Sequence, residues 1–197
     1  MRRYICFLII MTILLSGCTK DDTKEDESIS KYHELNVAIM DNDLNKVTAI
    51  LSKNDKLINK IDTKLGYSPF LYAMNSKKEI IDYLINQGAD IHHTSYSGNS
   101  ALLEAADMVN PYAIKLLLKE GLDPNSTNIY QETPLILMAG RGGVPTDLMV
   151  ELAGLLIDAG ADPNVKNGEG FTFLSKIEQV QPEETISSIR DLLKKRL

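Results

Sequence analysis

Few residues in this chain have types that could carry chemistry. Its 197 residues include two cysteines and three histidines. His92 and His93 are adjacent. In an extended segment they point in different directions and make a poor chelating pair. No carboxylate or third histidine stands at a spacing that completes a metal set with them. Neither Ser100 nor Ser175 stands between the paired glycines of a nucleophile elbow. The stretch Gly140 to Pro145, "GRGGVP", is glycine-rich but lacks the Gly-Lys-Ser/Thr ending that cradles phosphate. It reads as an elongated loop, with contact to a partner as the alternative. These residues carry no enzyme signal and imply no cofactor or metal. Cys18 is different, because its neighbours suggest a modification.

Arg2 and Arg3 open the chain, and an apolar run from Tyr4 to Leu15 follows, broken by Thr12. Ser16, Gly17 and Cys18 end it. A positive start, a short apolar middle and small residues at the end describe a secretory signal peptide. The run is too short for a bilayer span, which needs about 20 apolar residues. Leu15-Ser16-Gly17-Cys18 resembles the lipobox of bacterial lipoproteins. The resemblance implies cleavage after residue 17, with Cys18 diacylated and becoming the new N-terminus. Two or more acyl chains hold a protein stably to a membrane. Thr19 is not aspartate, which implies sorting to the outer membrane and periplasm in a Gram-negative host. In a Gram-positive host the expected location is the outer face of the cell membrane.

Removing residues 1–17 takes away Arg2 and Arg3, so the net charge moves from −6 to −8 over 180 residues. Cys18 is then the only cysteine, which excludes an intrachain disulfide and a thiolate metal site. The acidic balance argues against nucleic acid, whose phosphates require a basic surface, and suits a basic protein partner. Residues 18–30 are expected to form an acidic flexible tether. "TKDDTKEDESIS", Thr19 to Ser30, has one apolar residue in twelve and cannot bury enough surface to fold. An acidic recognition tail is the alternative.

Any site must be positioned by repeats. "GADIHH" from Gly88, "GLDPNS" from Gly121 and "GADPNV" from Gly160 resemble one another. So do "GYSPFLYA" from Gly66, "GNSALLEA" from Gly98 and "QETPLILMA" from Gln131, with a degenerate "GFTFLSKI" from Gly170. The matched apolar positions Leu35, Phe70, Leu102, Leu135 and Leu174 are separated by 35, 32, 33 and 39 residues. A period of that size indicates a stacked solenoid. Ser68, Ser100, Thr133 and Thr172 stand where a hydroxyl can cap a first helix, and Pro69 and Pro134 follow at the first helical position. Ala73 and Ala105 keep the first helix thin. Leu84-Ile85, Leu117-Leu118 and Leu156-Ile157 supply the second helix's buried face. Gly88, Gly121 and Gly160 suit the left-handed residue that ends it, with Asn54 expected in that role in the first repeat. Thr63, Ser95, Asn128 and Asn167 are expected to shape the turns.

This pattern resembles the ankyrin repeat family, over residues 31–197. The resemblance implies an all-α repeat solenoid of about five helix-turn-helix units with β-hairpin loops. The expected repeats are 31–62, 63–94, 95–127, 128–166 and 167–197, the first and last being caps. The family's usual His is absent after the leucine, where Leu71, Leu103, Ile136 and Ser175 stand. Weaker coupling between neighbouring loops is therefore expected. His33 lies two or more repeats from Ser100 and Ser175, which excludes a triad because repeats touch only their neighbours.

The family binds protein partners through hairpin tips and the inner face of the first helices. Tyr67, Tyr96, Tyr130 and Phe171 place an aromatic in each hairpin region, and aromatics are enriched in interface hot spots. Tyr72 and Glu104, on first helices, are expected to extend that surface. Tyr67 and Phe171, beside the capping residues, also have a packing reading. The expected product is a lipid-anchored, non-catalytic, monomeric protein of the bacterial cell envelope that binds a protein. An immunity protein against an envelope-acting toxin is the alternative.

Overall fold

A computed structural model describes residues 22–196, with side chains from residue 29 onward. The expected signal peptide and lipobox, with Cys18, lie outside the described residues. Ten α-helices form five pairs among the described residues. They are α1 (Asp22–Met40) and α2 (Leu44–Leu51), α3 (Pro69–Tyr72) and α4 (Lys78–Asn86), α5 (Ala101–Asp107) and α6 (Pro111–Lys119), α7 (Pro134–Ala139) and α8 (Thr146–Asp158), and α9 (Phe173–Val180) and α10 (Glu183–Arg196). The first helices stack in one row, α1 to α3 to α5 to α7 to α9. The second helices stack behind them, α2 to α4 to α6 to α8 to α10. The fold is an all-α stack among the described residues, as the resemblance implies.

Local chemistry sets the start of the first helices. Ser68, Ser100, Thr133 and Thr172 each accept a hydrogen bond from the backbone N–H three residues on. Each such cap contributes roughly 1 kcal/mol. Among the described residues of the first repeat no such cap interrupts α1, which is helical from Asp22. Its backbone is helical over residues 22–30, inside the segment expected to be a flexible tether.

The second helices α4, α6 and α8 end as expected, with a left-handed residue followed by a backbone bond reaching five residues back. At Gly121 φ is +85°, and Leu122 N–H donates to Leu117 O at 3.1 Å. Asn54 departs from this expectation: its φ is −152°, and it precedes a 3-10 turn, Asp55–Asn59. The same left-handed device closes two first helices, at Asn42 (φ 57°) and Val109 (φ 53°). A β-branched residue is strained there. Val109 is held by packing against the core.

The core runs the length of the stack between the two rows. Leu35, Phe70, Leu102 and Leu135 are fully buried, but in the last repeat Phe173 takes that place and Leu174 is half-buried; Ala73 and Ala105 let adjacent first helices approach. Polar side chains stitch each joint between pairs. Ser76 Oγ donates to Ile39 O at 2.9 Å, and Asn110 Nδ2 to Met74 O at 2.9 Å and Ser76 O at 3.0 Å. Gln181 Nε2 donates to Ala139 O at 3.1 Å and Arg141 O at 2.6 Å. Gly140 to Pro145 separates α7 from α8, and Arg141 within it forms an ion pair with Asp107 on α5.

Candidate partner-binding surface

The loops between repeats form the edge where the expected aromatics sit. They are tight turns, and no strand occurs among the described residues, which corrects the expectation of β-hairpin loops. Ser95 N–H donates to Asn99 O, Asn128 N–H to Glu132 O and Asn167 N–H to Phe171 O. The side chain at each turn's first position accepts from within the turn, as at Asn128 Oδ1, which takes Tyr130 N–H and Glu132 N–H. In the first of these turns Asp62 has that role, accepting from Lys64 N–H and Leu65 N–H, where Thr63 was expected. The closing bond there runs from Asp62 N–H to Tyr67 O, one residue longer than in the other turns.

Neighbouring turns are coupled by backbone bonds. Tyr96 N–H donates to Leu65 O, Ile129 N–H to Ser97 O and Gly168 N–H to Tyr130 O. His93 Nε2 also meets Gly66 O at 2.7 Å. The missing family histidine therefore does not leave the turns unlinked. Close approach is needed for this. A Cβ at Gly66 would come within 2.5 Å of Tyr96 Cδ1, and one at Gly168 within 3.1 Å of Tyr130 O.

These bonds hold four apolar side chains outward on consecutive turns. Leu65 is 56% exposed, Tyr96 65%, Ile129 64% and Tyr130 62%. Tyr96 and Tyr130 were singled out by their type, whereas Leu65 and Ile129 were not. An apolar residue inside an otherwise polar turn was the available signal.

The other expected positions are packed. Tyr67 and Tyr72 stack with ring centroids 5.2 Å apart at 47°. Tyr67 donates its hydroxyl to Glu104 Oε1, and its carbonyl accepts from Tyr32 OH at 2.6 Å. Glu104 is only 4% exposed, because Tyr67 and Asn99 cover it, the latter donating from Nδ2 at 2.8 Å. Glu104, expected to extend the binding surface, is thus largely covered, with Oε1 taken by Tyr67 and Asn99. Phe171 is half-buried under Lys176, whose Nζ lies 5.1 Å from the ring centroid. Burial raises the phenol pKa of Tyr32 and Tyr67, and the Glu104 carboxylate raises that of Tyr67 further. Tyr72 is pushed up to about 12, by burial first and then by the Asp62 carboxylate. All three phenols are neutral hydrogen-bonding groups at ordinary pH.

Among the described residues no group of three His, Cys, Asp or Glu side chains could hold a metal ion. None of the helices described is long and apolar enough to cross a membrane.

Residues 35–128 match a family model described as ankyrin repeats (3 copies). The chain is 26% identical over 137 residues to the B-cell lymphoma 3 protein homolog of Mus musculus, covering 69% of this chain and 30% of that protein. It is 35% identical over 94 residues to an ankyrin repeat protein of Rickettsia felis, covering 48% of this chain and 32% of the relative. It is 28% identical over 146 residues to the glycerophosphocholine phosphodiesterase gde1 of Schizosaccharomyces pombe, covering 72% of this chain but 12% of that enzyme. The chain therefore spans about a third or less of these relatives. With the family match over 35–128 and five stacked helix pairs, the fold of this chain is an ankyrin-repeat stack, a family whose general role is protein–protein interaction.

Proposed function

We propose that this chain is a non-catalytic binding module that holds one protein partner on the edge formed by Leu65, Tyr96, Ile129 and Tyr130. The observation that carries this reading is the exposure of four large apolar side chains on consecutive, mutually bonded turns. Exposed apolar patches of this kind mark interaction sites, and tyrosines supply rigid contact area at low entropic cost. The module acts as a monomer, tethered at a bacterial cell envelope through lipid on Cys18. That part of the reading rests on Arg2-Arg3, the apolar run and Leu15-Ser16-Gly17-Cys18. The phosphodiesterase relative shares only a segment, and its activity is not transferred.

A second, narrower reading is immunity against an envelope-acting toxin. It is favoured by the net charge of −8 after residue 17, which complements a basic protein. Co-expression of neighbouring toxic proteins separates it from a general scaffold: relief of toxicity selects immunity.

Affinity capture from envelope fractions tests the proposal, with the full chain as bait and a Tyr96→Ala/Tyr130→Ala variant beside it. One dominant partner lost from the variant is the expected result. Equal capture by both would contradict the proposed edge. Cys18→Ser is expected to abolish lipid labelling and membrane retention. A lipid-labelled variant, or an unlabelled and soluble wild type, would overturn the anchor.

A further inference from the structure

We propose that Glu104 Oε2 is a subsite for a cationic side chain, a lysine or arginine, carried by the partner that docks on the turn edge. This rests on the binding role proposed above. Glu104 stands in the first turn of α5, one helical turn below the turn that carries Tyr96. Both of its donors, Tyr67 OH and Asn99 Nδ2, converge on Oε1. No described side chain donates to Oε2, and no described cation pairs with Glu104. The fully enclosed polar atoms without a partner are Asn36 Oδ1, Asn99 Oδ1 and Gln181 Oε1, and Oε2 is not one of them.

A carboxylate so deeply placed without a countercharge is costly, and a cation brought from the open side repays that cost. The surroundings suit a cation. The stacked rings of Tyr67 and Tyr72 are the adjoining surface, and aromatic rings attract ammonium and guanidinium groups. The chain already places its own lysines over rings, Lys60 at 5.7 Å from Tyr32 and Lys176 at 5.1 Å from Phe171.

The test uses the full chain and a labelled Gly-Arg repeat peptide, with a Gly-Glu repeat peptide as the charge control, read by fluorescence anisotropy at physiological salt. Glu104→Gln keeps an Oε1 acceptor for Tyr67 and Asn99 but removes the charge. It is expected to weaken Gly-Arg binding at least tenfold, whereas Glu169→Gln, at an exposed turn, changes it less than twofold. Equal effects of the two variants, or no Gly-Arg binding by the wild type, would overturn the subsite. Should Glu104→Gln fail to fold, the wild-type Glu104 carboxyl resonance gives the same answer by NMR. A shift on adding Gly-Arg peptide supports the subsite, and an unmoved resonance refutes it. A natural partner lost from Tyr96→Ala/Tyr130→Ala but fully retained by Glu104→Gln would remove the subsite and leave the edge intact. The opposite pattern would remove the edge as the main docking surface.

Discussion

The turn edge and the outer face of the second helices are built from the same repeats but treat solvent differently. On the outer face, polar groups are satisfied across neighbouring helices. Asp82 on α4 takes Lys78 Nζ at 2.7 Å and also the Tyr112 hydroxyl of α6. Lys115 on α6 reaches Glu151 on α8 at 3.0 Å, and Arg196 on α10 reaches Asp158 on α8 at 2.6 Å. On the turn edge the backbone is satisfied, but Leu65, Tyr96, Ile129 and Tyr130 stay in water. Polar pairs that saturate one another give a partner little to gain, whereas exposed apolar area gains free energy on burial. The difference supports the proposal that the turns are the side that binds.

The two faces share one core, so the largest break removes both. Phe70 is fully buried between the rows, and Phe70→Ala is expected to cost about 3–5 kcal/mol. Urea denaturation reads this, and a cost within surface-mutation range would contradict the shared core.

Alkaline pH sharpens the comparison next, because Tyr32, Tyr67 and Tyr72 lie on the turn and first-helix side. Their folded pKa values are raised above the ordinary 10.0. Above about pH 10 the unfolded chain loses phenolic protons that the folded chain retains, so stability falls as pH rises. It is fully present below pH 10 and is lost as pH climbs through the folded values. Tyr72→Phe is expected to flatten the slope between pH 10 and 12. A slope unchanged by that substitution would contradict the burial of this phenol.

A smaller effect concerns a joint on the second-helix side. Asn59 bridges to the next repeat through Gly88 O at 3.0 Å and Asp90 N–H at 2.8 Å. Asn125 does the same with Gly160 O at 2.8 Å and Asp162 N–H at 2.7 Å. His92 occupies the matching place in the intervening repeat, where no such bridge is formed among the described residues. His92→Asn is expected to add it and stabilise the stack by about 1 kcal/mol. A loss of stability would show that His92 packs usefully. The smallest effect belongs to Lys115→Ala, which is expected to change stability by less than about 0.5 kcal/mol and leave partner binding unaltered. A measurable loss of affinity would move the binding face outward.

Much of the scaffold could be read from the sequence because it depends on local chemistry. Hydroxyls at 68, 100, 133 and 172 cap helices from their own first turns, and Gly121 ends α6 through its own φ. The misreadings involve contacts between distant segments or small shifts of register. Asp62 displaces Thr63 because the first turn is one residue longer. Asn54 stays extended because a 3-10 turn begins directly after it. Glu104 is buried by Tyr67, 37 residues away, a closure that spacing alone does not reveal. Aromatic type located Tyr96 and Tyr130 but gave no reason to notice Leu65 and Ile129, whose exposure follows from the bonds between turns.

The most direct measurement places a photo-crosslinking residue at position 130 in one copy of the full chain and at position 115 in another, with irradiation in intact cells. The account predicts a discrete protein adduct from position 130 and none from position 115. Adducts from position 115 alone, or no adduct from position 130 while the chain is folded, would contradict it.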